Sequence, residues 1–240
     1  MKFALSGFDM VSDFYGSPHG IKFSIPGSQW FIVPALMSYF ASEGFQTYFE
    51  TLPEVIVRRR ANGAPLTVGN LTIEDKPEIV CLDDELIHKM KIKARYEAFE
   101  DSICVAYIGD RKQTDICHIE NMRFAIPNST TTSLGLAFKN YYEKECSYYG
   151  ELREGTTICD VPHREIPQKI MNGQVDYGIM WNSEARHWKF KHYFPDIVKR
   201  KFSWLLLENA QSPAVELFRR IQSGVIDRYY SKYGYIIANK

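Results

Sequence analysis

The stretch RFAIPNSTTTSLGLAF, residues 123–138, contains one complete strand-to-helix unit. Phe124, Ala125 and Ile126 are typical of a strand, Pro127-Asn128 interrupts it, and an apolar-periodic segment with helical spacing follows. Five hydroxyl residues, 129–133, lie between the two. Because one Ser or Thr is enough to cap a helix, the longer run predicts a surface of hydroxyl and backbone N–H donors that faces a hydrogen-bond acceptor.

The composition is that of an ordinary globular chain. It has 240 residues, enough for one large domain or two small ones, with 45% hydrophobic and 24% charged residues. Lys plus Arg and Asp plus Glu number 29 each, so the formal net charge is zero. This balance argues against a nucleic-acid-binding protein that relies on bulk positive charge.

The termini and cysteines bear on the compartment. The first residues, MKFALSGFDMVSDF, lack the long apolar region of a secretory signal, which predicts either a cytoplasmic protein or an exported one whose signal was removed. No apolar run is long enough for a membrane helix. Five widely spaced cysteines without a C-x-x-C pair predict neither a zinc site nor a disulfide framework, and favour buried thiols in a reducing compartment: Cys81, Cys104, Cys117, Cys146 and Cys159.

Strand-like and helix-like segments alternate along the chain, which predicts α/β layers. The predicted strands are 20–27, 45–52, 101–110, 123–127, 176–182 and 202–209. The predicted helices are 29–44, 54–63, 162–173 and 212–234, the last as one helix or a pair, and residues 76–90 are predicted as a strand followed by a helix with an acidic cap. The run Arg58, Arg59 and Arg60 is interpreted as a solvated helix end.

Three strand ends run into a predicted helix through small or polar residues: 27–29 (GSQ), 81–84 (CLDD) and the Ser/Thr run. In open α/β sheets ligands bind outside the carboxyl ends of the strands, where helix N-termini offer N–H groups and partial positive charge. Two such turns facing one cleft predict a site for a compact anion. Ordinary N-capping at each turn is the alternative.

Several motifs match one family pattern. Residues 77–81 (PEIVC) stand where the pattern has Pro-Asp-Val-hydrophobic-Ser, and Ile126-Pro127 through Gly135 match its strand-to-helix turn. Residues 172–185 (NGQVDYGIMWNSEA) match sGeaDaGivYatdA, and Ala214, Phe218 and 232–235 match its C-terminal positions. On these residues the chain, over about 20–237, resembles the molybdate/tungstate/sulfate-binding group of ABC-transporter solute-binding proteins.

The resemblance implies a type II periplasmic-binding-protein-like fold. Each of two lobes would be a mostly parallel sheet flanked by helices, with lobe one at 1–98 plus 200–240 and lobe two at 99–199, joined by crossing strands. The ligand cleft would lie between the lobes and close by hinge motion. The expected ligand-binding residues are Ser28, Gln29, Cys81, Thr130, Thr131, Thr132, Arg164 and Trp181.

Departures from the pattern leave the ligand open. Cys81 stands where the molybdate group has a second Ser, and Trp181 where it has a Tyr. A weak thiol donor would weaken a tetrahedral oxyanion cage, so a small organic anion is an alternative to molybdate, tungstate or sulfate. Arg164 either pairs with a carboxylate or phosphate or is a solvated helix residue. Residues 1–19 have no counterpart in the family.

The leading hypothesis is therefore the solute-binding component of an ABC transporter, with a small anion and a permease as partners. No catalytic residue, cofactor, metal, nucleic acid or membrane span is expected. One alternative is a cytoplasmic enzyme on the same fold, with Cys81 as a nucleophile activated by a helix N-terminus. The other is a ligand sensor that acts on a partner protein through residues 1–19.

Overall fold

The computed structural model describes residues 13–110, 115–119, 122–146, 148–193 and 198–238. Its chain divides into two compact units. Unit 1 comprises the described residues up to Phe99, Lys201–Ser231 and those from Ile237, and unit 2 comprises the described residues of Glu100–Arg200 and Lys232–Ile236. Residues 1–12, which carry the prediction about a signal segment and most of the proposed partner contact, lie outside the described part.

Strands and helices alternate through both units, as the sequence predicts. The first half contains β1 (Phe14–Gly16), β2 (Ile21–Pro26), α1 (Val33–Ser42), β3 (Thr47–Leu52), α2 (Glu54–Ala61), β4 (Leu66–Val68), β5 (Leu71–Ile73), β6 (Ile79–Asp83) and β7 (Ile92–Tyr107). The second half contains β8 (Phe124–Pro127), α3 (Ser133–Glu145), α4 (Tyr149–Gly155), β9 (Thr157–Cys159), α5 (Pro162–Met171), β10 (Tyr177–Trp181), α6 (Asn182–His187), β11 (Lys191–Tyr193), β12 (Lys199–Leu207), α7 (Ser212–Gln222), α8 (Asp227–Ser231) and β13 (Ile236–Ile237). Among the helices of the described ranges, none has the length and apolar character of a membrane-spanning segment.

Unit 1 is built on a mixed sheet with the strand order β1-β3-β2-β6-β12. The central strands β3, β2 and β6 are parallel, whereas β1 and β12 are antiparallel to their neighbours. Strand β2 is covered on both faces: Ile21, Phe23 and Ile25 form its apolar face, and Ser24 on the other face is also buried. Phe23 of β2 stacks on Phe49 at 4.3 Å between ring centroids and meets Trp204 of β12 edge-on at 6.0 Å. The C-terminal part of the chain thus completes the N-terminal sheet.

Unit 2 repeats this arrangement with the strand order β9-β8-β10-β7 and β11 on the other side of β7. Strands β9, β8 and β10 are parallel, and β7 is antiparallel to β10. Helix α5 covers one face with Ile166 and Ile170, which belong to the same apolar cluster as Ala125 and Met180. Gly178 permits this packing, because a Cβ there would lie 2.4 Å from Ile166 Cγ2.

The chain passes between the units inside long strands. The boundary at Phe99 and Glu100 falls within β7, and the boundary at Arg200 and Lys201 falls within β12. Each unit has a sheet whose central strands are parallel and whose faces carry helices. This is the type II periplasmic-binding-protein-like fold that the resemblance implies.

The predicted helix after Asp83 and Asp84 does not form. A single 3-10 turn, Asp84–Leu86, follows β6, and Lys89 adopts a left-handed backbone conformation with φ of 63° before β7 begins. Leu86, Ile87 and Met90, whose spacing favoured a helix, instead pack as a turn against the core cluster of unit 1. The second of the three predicted strand-to-helix turns is therefore absent.

The helix predicted at 29–44 begins only at Val33, four residues after the start of the predicted range. Residues Gly27–Ile32 form a 3-10 helix, and the α-helix starts at Val33 with Pro34 in its first turn. Proline is favoured there because its missing N–H would have no intrahelical acceptor. The turn at Gly27-Ser28-Gln29 is thus a tight one.

The interpretation of the arginine run as a solvated helix end is wrong for Arg60. Its side chain is 2% exposed and pairs with the equally buried Glu50, at 2.9 Å from Nε to Oε1. Its guanidinium also donates to the carbonyl oxygens of Ala64, Ile73 and Asp75. Arg60 therefore organises the loop after α2 from inside unit 1.

The cysteine prediction is also corrected in part. Cys117 and Cys146 form a disulfide that links a 3-10 turn to the residue at the C-terminal end of α3. Cys81, Cys104 and Cys159 are buried free thiols, as predicted. Because disulfides persist mainly in oxidising compartments, the cysteines no longer favour the cytoplasm.

Candidate functional site

In unit 1 the predicted turn at Ser28 follows the carboxyl end of β2. Because β3, β2 and β6 are parallel, Leu52, Pro26 and Asp83 lie at the same edge of the sheet. Directly after Pro26, the chain enters the 3-10 helix that contains Ser28 and Gln29. Ser28 is 7% exposed and Gln29 1%, so the hydroxyl is the more accessible of the two side chains.

The amide of Gln29 is bonded inside unit 1. Its Oε1 accepts a hydrogen bond from the hydroxyl of Tyr230, at 3.1 Å, and its Nε2 donates to Sγ of Cys81, at 3.5 Å. Tyr230 lies on α8, and nothing in the sequence distinguishes it from the other tyrosines, of which the chain has 15 in all. The structure thus brings Gln29 and Cys81 together, with Tyr230 as a partner that sequence reasoning missed.

Cys81 lies in the middle of β6 opposite Trp204 of β12, and not at a strand-to-helix turn. It is fully buried, and this burial raises the pKa of its thiol far above the ordinary value. A nucleophilic cysteine needs the opposite shift, because the thiolate is the reactive form. The structure therefore contradicts the interpretation of Cys81 as an activated nucleophile.

In unit 2 the remaining predicted residues follow three adjacent parallel strands. The Ser/Thr run follows β8, Arg164 comes shortly after β9, and Trp181 is the last residue of β10. Since β9, β8 and β10 are parallel neighbours, these positions lie at one edge of the sheet. This is the edge at which open α/β sheets bind ligands.

The hydroxyl run is organised around Asn128. Its Oδ1 accepts from both the backbone N–H and the hydroxyl of Thr130, each at 2.9 Å, and its backbone carbonyl accepts from the N–H groups of Thr131 and Thr132. Asn128 thus forms an Asx-type turn that fixes the loop. Several donors predicted to face a ligand are in part engaged within the loop, and of the five hydroxyl residues only Thr130 is exposed.

Thr132 is the N-cap of α3. Its Oγ1 accepts from the N–H of Gly135 at 3.0 Å. Position 135 requires glycine, because a Cβ there would lie 2.4 Å from the carbonyl oxygen of Asn128. The loop can therefore approach the first turn of α3, whose other early N–H groups have no intrahelical acceptor.

Two further residues of this edge were missed by sequence reasoning, Asn128 and Asp160. The amide Nδ2 of Asn128 donates to Oδ1 of Asp160 at 2.6 Å, and the hydroxyl of Thr131 donates to the Asp160 carbonyl oxygen at 3.4 Å. A carboxylate therefore lies beside the predicted anion loop. The Pro-Asn pair signalled a turn, but nothing in the sequence linked it to a residue 32 positions later.

Arg164 lies in the first turn of α5 and is half-exposed, whereas its neighbour His163 is buried. The first turn is completed by Glu165, whose Oε1 accepts from the N–H of Val161 at 2.7 Å. Trp181 is 1% exposed, so its indole forms part of the interior of unit 2. At this edge the accessible cationic group among the predicted residues is therefore Arg164.

A groove of about 660 Å³ lies at the opposite edge of the unit 1 sheet, where β2, β3 and β6 begin. Its lining includes Lys22, Asp75 and Glu78, and both carboxylate oxygens of Glu78 accept backbone N–H groups, from Lys22 and Gln211. None of the predicted ligand-binding residues lines it. Across the described ranges, no group of three or more His, Cys, Asp or Glu side chains is placed to hold a metal ion.

Comparisons with known proteins support the fold. No family model and no curated protein sequence matches the chain. Among solved structures, the periplasmic molybdate-binding protein of Azotobacter vinelandii matches with a TM-score of 0.69 at 16% identity, covering 90% of this chain and 98% of that one. The substrate-binding domain assigned to a molybdenum ABC transporter of Clostridium difficile matches with a TM-score of 0.61 at 9% identity, covering 90% and 97%.

A third match is PEB3 of Campylobacter jejuni with L-phospholactate bound, with a TM-score of 0.65 at 11% identity, covering 90% of this chain and 99% of that one. The first two neighbours are named for binding, the third is named with its bound ligand, and none of the three is named as an enzyme. At such low identity they show the fold alone. The chain therefore has a type II periplasmic-binding-protein-like fold.

Proposed function

We propose that the protein is a solute-binding protein for a small anion and the substrate-binding component of an ABC transporter. The observation that carries the proposal is the fold shared over 90% of the chain with two proteins named for molybdate binding or molybdenum transport. A permease is the corresponding partner. Binding is coupled to hinge closure, because contacts made only in the closed form stabilise it.

The proposed contacts come from the carboxyl edges of the two sheets. Unit 1 contributes the hydroxyl of Ser28, and unit 2 contributes Thr130, Thr131 and the first turn of α3 after Thr132. The guanidinium of Arg164 supplies the positive charge, and helix N-termini add a partial one. We assign Gln29, Cys81 and Trp181 to the support of these contacts, since their side chains are buried.

The ligand class follows from the charges at the unit 2 edge. Asp160 is hydrogen-bonded to the loop that carries the hydroxyls. Its negatively charged carboxylate would repel a compact dianion bound beside it. An organic anion that also carries a hydrogen-bond donor would meet both Arg164 and Asp160. This chemistry favours a small organic acid or phosphoester over a bare tetrahedral oxyanion, although both belong in the test.

The test is a thermal-shift panel followed by calorimetric titration. The panel contains molybdate, tungstate, sulfate, phosphate, small hydroxy acids and phospholactate. A ligand at a hundred times its Kd adds about 2.7 kcal/mol to the free energy of unfolding, which raises the melting temperature. Absence of both a thermal shift and binding heat across the panel would overturn the anion-binding proposal.

Matched variants locate the site. Arg164→Gln should weaken binding of the anion found in the panel by about tenfold or more, as expected for a charge-assisted hydrogen bond. Arg153→Gln, an exposed change of the same charge on α4 of the same unit, should leave the affinity unchanged. Equal effects of the two variants would contradict the assignment of Arg164.

A further inference from the structure

A buried carboxylate lies beneath the turn that follows β10. Asp101 of β7 is 4% exposed, and its Oδ2 accepts a hydrogen bond from the hydroxyl of Ser183. Its Oδ1 accepts from the backbone N–H of Ser102 at 2.8 Å and, at 3.4 Å, from that of Ser183. One carboxylate thus holds a strand and the start of a helix together.

The register of the sheet explains this contact. Strands β7 and β10 are antiparallel, with Trp181 opposite Ile103, so that continuing two residues along each strand brings Ser183 to Asp101. Helix α6 begins at Asn182 and has six residues. Such a short helix gains much of its order from an acceptor for its first N–H groups. Asp101 supplies that acceptor directly after the candidate ligand-binding residue Trp181.

We propose that Asp101 is a positioning residue for the turn at residues 181–183 of unit 2, and that proton uptake by its carboxyl group loosens this turn and weakens anion binding. The link from the turn to the anion rests on the proposed function. The link from Asp101 to the turn rests on its contacts alone.

The proton changes the direction of one hydrogen bond. The ionised carboxylate is an acceptor only, and it accepts from all three donors. Once Oδ2 carries a proton, its O–H becomes a donor, so the hydroxyl of Ser183 must accept, and the proton of that hydroxyl loses its partner. A buried donor without an acceptor is unfavourable, and the first turn of α6 shifts to relieve it.

The groups around Asp101 determine the pH at which its carboxylate takes up a proton. Burial is the largest influence and raises the pKa of Asp101 to about 7, against the opposing effects of Ser183, Ser102 and the Arg186 guanidinium. Among the described residues, Glu184 and Arg186 on α6 and the Cys104 thiol on β7 also interact electrostatically in this region. Arg186 is itself held by Asn182 Oδ1 at 3.4 Å and packed against Gly234. The switch therefore operates near neutral pH.

The test compares Asp101→Asn with Asp110→Asn, an exposed change of the same charge in unit 2. The first readout is the chemical shift of the Ser183 amide, and the second is the affinity for molybdate and phospholactate, both followed from about pH 5 to about pH 9. In the wild-type protein and Asp110→Asn, the amide should titrate near neutrality and the affinity should fall about threefold to tenfold on acidification, the equivalent of one hydrogen bond. Asp101→Asn should abolish the amide titration and should leave only the pH dependence of the affinity that comes from ionisation of the ligand itself.

A second variant keeps the test decisive. Ser183→Ala removes a hydrogen bond that lowers the pKa of Asp101, so the midpoint of the titration should move to higher pH. An amide shift that stays constant with pH in the wild-type protein, or one that still titrates in Asp101→Asn, would overturn the proposal. If neither molybdate nor phospholactate binds, the proposed binding of these anions fails. The titration of the Ser183 amide still decides the role of Asp101.

Discussion

The buried pair of Glu50 and Arg60 shows how a single residue organises unit 1. Burial raises the pKa of the Glu50 carboxyl, and the Arg60 charge and hydrogen bonds oppose this shift. Arg60 also satisfies three carbonyl oxygens of the segment that follows α2. Neither partner is replaceable alone, because the other would remain buried without compensation.

Arg60→Met should therefore lower the free energy of unfolding by about 3–5 kcal/mol, the usual loss when one partner of a buried ion pair is removed. Urea denaturation followed by circular dichroism measures the change. Arg58→Met is the matched control, because the hydrogen bond of the Arg58 side chain to the His88 carbonyl oxygen is exposed. A loss for Arg60→Met no larger than for the control would show that the pair does not stabilise the unit.

At this scale the sequence allowed some predictions and not others. Thr132 could be predicted as a cap because N-capping is a local interaction. The bonds of Gln29 to Cys81 and Tyr230 span 52 and 201 positions, and Asn128 meets Asp160 only because β8 and β9 are neighbours. Such contacts depend on strand order, which no local pattern contains.

Among the elements, α3 depends on its cap. Thr132→Ala should remove the acceptor for the N–H of Gly135 and destabilise unit 2 by about 1 kcal/mol, the typical value for an N-cap. Thr132→Ser, which keeps a hydroxyl at the same place, should lose much less. Urea denaturation gives the energies, and faster hydrogen exchange of the Gly135 amide in the Ala variant gives the location. Unchanged exchange there would argue against the cap.

The disulfide constrains the segment that contains β8, the hydroxyl loop and α3. It joins cysteines 29 positions apart, and closing a loop of this length in the unfolded chain accounts for about 3–4 kcal/mol of stability. The double variant Cys117→Ser/Cys146→Ser should lower the unfolding free energy by that order. A reducing agent should do the same to the wild-type protein and nothing further to the variant, as measured by thermal denaturation. If the reducing agent destabilises both proteins equally, the Cys117–Cys146 disulfide is not the source of that loss of stability.

Periodicity located most of the elements because their apolar residues face a core. It failed at 84–90, where Leu86, Ile87 and Met90 have helical spacing but reach the core through a turn and a left-handed Lys89. It could not indicate the disulfide either, since Cys117 and Cys146 are far apart in the chain and lack a recognisable motif.

Over the whole molecule, the sheet of unit 1 depends on residues from both ends of the chain. Strand β12 pairs with β6, and helix α7 buries Ala214, Leu217, Phe218 and Ile221. Two of these positions, Ala214 and Phe218, belonged to the C-terminal motif of the resemblance. The spacing of such motifs made the fold predictable, whereas the ligand was not, because few side chains at the strand ends decide it.

Phe218→Ala should lower the free energy of unfolding by about 3–5 kcal/mol, as expected when a fully buried aromatic side chain leaves a cavity. Arg219→Ala, one residue further on the exposed face of α7, should change it by less than about 0.5 kcal/mol. Urea denaturation with far-ultraviolet circular dichroism measures both. Similar losses for the two variants would contradict the packing of α7 against the rest of unit 1.

The state of the five cysteines makes the native chain a convenient background for fluorescent labelling. Three thiols are buried and two are joined to each other, so maleimide dyes should leave the folded, oxidised protein unmodified. One cysteine introduced on the exposed surface of each unit would then accept a dye pair without any native cysteine being removed. Energy transfer between the dyes, recorded on single molecules with and without ligand, would test the proposed hinge closure directly.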